Sequence, residues 1–188
     1  WTAAQLGQFQ PRLEEINLAD EMLRALRGER IYTVAALEMM RRDPNRVSGM
    51  GEQDLGEGVL RFMPSGWYYQ NQIHIARMYQ DCFRVLDPER RTVDLAAADR
   101  ITADFDRRLR RKHPYTIFAA MLFPGIDRTV AKTARAQATV ALADTACALE
   151  RFRLETGRYP ETLEALVPRY MGRLPLDPVS GEPLKYRV

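Results

Sequence analysis

The sequence predicts an all-α, or nearly all-α, protein: a multi-helix bundle of five or six helices with a small proline-rich C-terminal appendage that has room for a short β-hairpin. Three observations predict it. Apolar residues return every three to four positions through most of the chain, clusters of glycine and proline cut that pattern into helix-length pieces, and Pro160, Pro168, Pro175, Pro178 and Pro183 crowd the end. At 188 residues, with 46% apolar and 28% charged side chains, the chain can bury a core of its own. That balance excludes wholesale disorder, collagen-like repetition and a miniature held by disulfides or metal. The expected organisation is a helical domain over 1–157 and an appendage over 158–188 packed on the last long helix.

Leu13, Ile16, Met22, Leu23 and Leu26 mark the inner face of a first helix, which starts near Pro11 and stops at Gly28, a residue suited to the left-handed cap position. Ile31, Val34, Leu37 and Met40 mark a second, ended by Asp43 and Pro44. So short a turn predicts an antiparallel helical hairpin. Residues 45–66 contain Gly49, Gly51, Gly56, Gly58, Pro64 and Gly66 and read as a long loop. Its Glu52, Asp54 and Glu57, with Trp67 just beyond, form the candidate contact surface. It lacks the lysine and hydroxyl of a phosphate-binding loop, its carboxylates repel phosphate, and their spacing is not that of an EF-hand.

Helical spacing returns over 67–86, where Tyr68, Ile75, Tyr79, Cys82, Phe83 and Leu86 form the buried stripe. Asp87, Pro88 and Glu89 read as an N-cap, a first-turn proline and a dipole-favoured acid opening a helix that runs through Arg110, with Val93, Ala97, Ile101, Phe105 and Leu109 inside. His113 and Pro114 break it, and an apolar turn leads to Pro124 and Gly125. The alanine-rich last helix spans Ile126–Thr156, with Val130, Ala134, Ala141, Leu142, Leu149 and Phe152 as its seam and Gly157 as its cap. A one-turn helix over 163–167 and extended pieces near 184–186 complete the chain.

No motif specifies a chemistry. The net charge of +3 is too small to imply a nucleic-acid or membrane partner by itself. The one basic run, Arg107, Arg108, Arg110, Arg111 and Lys112, ends a helix, where the dipole favours cations, and no aromatic residues interleave it. It is the candidate basic patch, and a nucleic-acid partner is not expected. Cys82 and Cys147 lie in separate apolar patterns without metal-ligand spacing and read as buried free thiols, with a long-range disulfide in an oxidising compartment as the alternative. His74 and His113 have no second histidine or carboxylate at helical spacing, and neither Ser48, Ser65 nor Ser180 sits in a nucleophile elbow. No metal or cofactor is expected. The rival reading, a hydrolase-like or metal-dependent enzyme, would assemble its site between helices around His74, Tyr68 and Glu38. No apolar run reaches the ~18 residues that cross a bilayer. A chain beginning at Trp1 suggests that an N-terminal segment, a signal peptide or a membrane anchor, has been removed.

Towards the C-terminus a recognisable order appears: Ala148 to Leu154 without interruption, then Gly157, Arg158, Tyr159 and Pro160, then Leu163, Glu164, Ala165, Leu166 and Val167, then Leu174, Pro175, Leu176, Asp177 and Pro178, and last Gly181, Glu182, Pro183, Leu184, Lys185 and Tyr186. This segment resembles the helix-to-sheet junction of major pseudopilins of type II secretion systems, and the tail of a group of uncharacterised membrane-anchored bacterial proteins. The resemblance covers about a fifth of the chain. A pseudopilin feeds a hydrophobic N-terminal helix directly into this junction, whereas here well over a hundred residues of helical sequence precede it, and the downstream loop that supplies calcium ligands is lacking. Filament assembly and calcium binding are therefore not implied. What the resemblance implies is the local structure and an extracytoplasmic or periplasmic, membrane-anchored setting, with a cytoplasmic one as the alternative. The expected function is a non-catalytic domain of the bacterial cell envelope acting through protein contacts. The alternatives are the enzyme and a binder of anionic partners through the basic patch.

Overall fold

The chain is described by a computed structural model covering residues 1–43, 62–109, 113–122 and 126–187. Among them are six α-helices: α1 (Ala3–Glu15), α2 (Leu18–Arg42), α3 (Ser65–Phe83), α4 (Leu95–Leu109), α5 (Ile117–Leu122) and α6 (Ile126–Thr156). A 3-10 turn spans Leu163–Leu166, and the two-residue strands β1 (Leu86–Asp87) and β2 (Thr92–Val93) pair antiparallel with Leu86 opposite Val93. The helical class expected from the apolar spacing is what the chain forms. Contacts divide it into two compact units, one of Trp1–Leu23, Leu86–Leu95 and Arg128–Val188, the other of Arg24–Val85 and Ala96–Asp127.

In the first unit, α1 opens with a capping box: Thr2 Oγ1 accepts from the Gln5 amide at 3.2 Å while Gln5 Oε1 accepts from the Thr2 amide at 2.9 Å. Pro11 lies inside this helix rather than at its start. The break comes at Ile16 and Asn17, not at Gly28. Asn17 Oδ1 accepts from the Asp20 amide at 3.2 Å, and Gln137 Oε1, reaching from α6, accepts from the Leu18 amide at 2.8 Å. Two otherwise orphaned helix donors are thereby satisfied. Gly28 then lies in the middle of α2. A glycine there costs about 1 kcal/mol, which burial of Leu23, Leu26 and Leu37 around it outweighs. The expected helical hairpin is therefore replaced by a short helix followed by one of 25 residues.

The expected N-cap at Asp87 is overturned too. Asp87 Oδ1 accepts from the Arg90 amide at 3.0 Å, so the carboxylate closes a hairpin turn instead of opening a helix. The Val93 amide donates to Pro178 O at 2.7 Å, tying β2 to the tail and delaying α4 to Leu95. The long helix and its stop agree with the sequence: α6 spans Ile126–Thr156, and Gly157 has φ +79° with its amide bonded to Arg153 O at 2.8 Å. Within its seam Leu142 is 57% exposed, the one clear departure. The tail packs on this helix through Ala148, Leu163, Leu166, Tyr170 and Met171, with Leu149, Phe152 and Tyr186 at the edge. Its last turn is held by Asp177 Oδ1, which accepts from the Val179 and Ser180 amides at 2.8 Å each. A single antiparallel bridge joins Leu176 and Pro183.

In the second unit the core comprises Leu26, Leu37, Tyr68, Ile75, Met78, Tyr79, Cys82, Phe105 and Phe118. Ile31, expected inside, is 67% exposed. Helix α3 begins at Ser65, with Gly66 inside it, and the expected apolar turn before Pro124 contains α5. Asn71 explains that helix. Its side chain is fully buried, donates to Trp67 O at 2.8 Å and Pro114 O at 2.9 Å, and accepts from the Phe118 and Ala119 amides at 3.0 and 3.2 Å. One side chain thus supplies the capping partners of a six-residue helix too short to persist on its own.

Candidate functional site

Among the described residues of the first unit, three arginines line one cavity. Hairpin β1–β2 has a tight turn over 88–91 that places Arg90 and Arg91 side by side, and Arg91 adopts a left-handed backbone with φ 57°. The turn is fixed by its carbonyls and side chains: Asn17 Nδ2 donates to Pro88 O at 2.8 Å, Arg91 Nη2 to Glu14 O at 2.6 Å, and Arg173 Nη1 to Glu89 O at 3.5 Å. Arg90 Nη2 donates to Gly181 O at 3.3 Å. A cavity of about 140 Å³ opens here, lined by the three arginines, by Gln137, Val140, Ala141 and Asp144 of α6, and by Leu13 and residues 174–176.

Each guanidinium carries five N–H donors, and each of these three spends one on a backbone carbonyl. None forms an ion pair with a carboxylate among the described residues. Burial lowers the Arg91 pKa, and the neighbouring Arg173 charge lowers it further, with Asp144 and Glu14 opposing. Burial also pushes the Asp144 carboxyl above the ordinary aspartate range. Glu14 adds to that push, and the Gln10 amide and Arg91 oppose it. Asp144 Oδ1 is buried without a hydrogen bond among the described residues, and this single acid, its charged form disfavoured by burial, stands against three guanidinium groups. The arrangement favours an incoming anion, and a carboxylate suits it because planar guanidinium groups bind carboxylates through two parallel hydrogen bonds.

The residues singled out in the sequence fall elsewhere. Glu52, Asp54 and Glu57 of the contact surface and Arg110, Arg111 and Lys112 of the basic patch lie outside the described residues. Trp67 is half-buried, edge-on to Tyr115 with ring centroids 6.0 Å apart. Arg107 and Arg108 share one carboxylate, Asp104, at 3.4 and 2.5 Å, so this part of the basic run is half compensated by pairs within its own helix. His74 lines a pocket, but neither Tyr68 nor Glu38 lines it with His74. Tyr68 is buried against Phe118 with centroids 5.4 Å apart, and Glu38 receives Arg41 and Arg42 at 2.8 and 2.7 Å, which lower its pKa to about 2. His113 stacks on Tyr115 at 4.7 Å. Both cysteines are free; burial pushes the Cys82 thiol up to about 12, while Cys147 is half-buried with its thiol also raised by burial. No group of three metal-binding side chains occurs among the described residues.

Sequence reasoning missed Arg90, Arg91, Asp144 and Arg173. The adjacent arginines after Asp87-Pro88-Glu89 were the available signal, hidden by the reading of that segment as a helix start.

Fold and cleft together define a class: a helical domain with a small hairpin that presents, among the described residues, three guanidinium groups without a carboxylate ion pair around one cavity. Comparison of the chain with protein-family models, with curated proteins and with solved structures found no match.

Proposed function

We propose that this protein is a non-catalytic recognition domain acting through protein contacts, and that the arginine cleft receives an acidic group of the partner. The observation carrying this reading is the set of three guanidinium groups, Arg90, Arg91 and Arg173, around one cavity with no carboxylate ion pair among the described residues. The size of the cavity supports a protein as the source of that group. At about 140 Å³ it is smaller than the ~300–1,000 Å³ of sites for drug-sized molecules, yet it can take the end of one acidic side chain or a chain terminus. The resemblance of residues 148–186 to the pseudopilin junction supports an extracytoplasmic setting for this contact. No helix among the described residues is long and apolar enough to cross a membrane.

The test uses an N-acetylated glutamate-rich peptide as probe. Binding weakens as salt rises, and Arg90→Gln together with Arg173→Gln lowers the affinity about tenfold, the loss expected when two exposed charges that meet the acid are removed. Both arginines are exposed, so these variants fold. Peptide binding that is absent, or unchanged in the double variant, sinks the proposal, and recovery of the full-length protein from the cytosolic fraction sinks its extracytoplasmic part.

A further inference from the structure

The geometry points to a second binding site, in the other unit: a pocket of about 270 Å³ formed by α3, α4 and Thr116 that takes a small carboxylate with an apolar body. Helix α3 brings His74, Arg77, Met78 and Asp81 to one face, at spacings of one, three and four residues, and α4 brings Phe105, Arg108 and Leu109. The floor is apolar, since Met78 and Phe105 are each only 6% exposed. The rim is polar and partly unspent. Neither the His74 ring nor the Arg77 guanidinium makes a hydrogen bond or ion pair with a described residue. The other lining charges are engaged, Asp81 by Arg84 at 3.4 Å and Arg108 by Asp104 at 2.5 Å.

Among the described residues Arg77 is therefore the lining charge with no ion pair, and it selects an anion. The buried floor selects the rest of the ligand. A phosphate offers nothing to Met78 and Phe105, whereas the ring or short chain of an organic acid covers them while its carboxylate meets Arg77 and His74. Burial, with the Arg77 and Arg108 charges, holds the His74 pKa below its ordinary value, so the empty pocket presents a neutral imidazole at pH 7. The charged and titratable groups lining the pocket with it are Arg77, Asp81 and Arg108. A bound carboxylate adds a negative charge to that set and favours the imidazolium.

Sodium benzoate, added to the whole chain and followed by NMR of the two histidine rings, is the test. Benzoate shifts the His74 signals and not those of His113, and raises the His74 titration midpoint by about one unit, equivalent to about tenfold tighter binding to the protonated ring. Arg77→Gln, at an exposed position, weakens binding about tenfold. Arg173→Gln leaves it unchanged, so failure here is distinct from failure of the arginine cleft. Inorganic phosphate moving His74 as strongly as benzoate, unshifted His74 signals, or Arg77→Gln binding like the original chain overturns the assignment.

Discussion

Gly28 and Gly157 are matched in one respect: a Cβ added at either would meet no atom within 4 Å. They differ in backbone. Gly157 has φ +79°, a conformation that L side chains adopt at a cost, whereas Gly28 lies within α2, where alanine is the better helix former. Opposite outcomes follow for the same substitution. Gly28→Ala should stabilise the protein by about 0.5–1 kcal/mol and Gly157→Ala destabilise it by about 1 kcal/mol, both read from urea denaturation midpoints. Equal shifts of the same sign would show that packing, not backbone conformation, governs both sites. The pair also shows why one glycine misled the sequence reading and the other did not. A glycine is compatible with a helix end but does not enforce one, and at Gly28 the flanking apolar stripe through Leu23, Leu26 and Leu37 carried the helix past it.

At the scale of elements, local patterns were legible and long-range partners were not. The bounds of α6, its stop and the turn over 163–166 follow from apolar spacing, high helix propensity and Gly157. The start of α2 does not, because one of its capping groups comes from Gln137, 119 residues away. The hairpin was hidden for a related reason. Asp-Pro-Glu serves equally as a helix start or a turn, and the bond from the Val93 amide to Pro178 O, which favours the turn, joins distant parts of the sequence. The arginine cleft was illegible on the same ground, being assembled from α6, the hairpin and the tail. The cap itself can be tested: Gln137→Leu preserves volume but leaves the Leu18 amide without its partner, which should cost about 1–3 kcal/mol in chemical denaturation. An unchanged midpoint would mean that water replaces the side chain at no cost.

For the whole molecule, the two units are discontinuous in sequence, since each is completed by segments from distant parts of the chain. Asn71 is the buried polar hub of the second unit, serving two carbonyls and two amides. Asn71→Ala removes all four bonds and should destabilise by about 3 kcal/mol or more. Hydrogen exchange locates the loss: protection should fall first in α3 and α5, while the tail packed on α6 keeps its own. Equal loss across the chain would show that the units open together.

The turn at Gly181 leads back to the arginine cleft. Its φ of +71° suits glycine, and an added Cβ would stand 3.2 Å from Arg90 Nη2, the atom that donates to Gly181 O. Glycine's missing methyl is thus the seat of a guanidinium. A change of one carbon in the tail, with every charge in the sequence left intact, would strain the turn and make that guanidinium give way by a few tenths of an ångström, so the seat of a cation on the hairpin is set from outside the cavity's own lining.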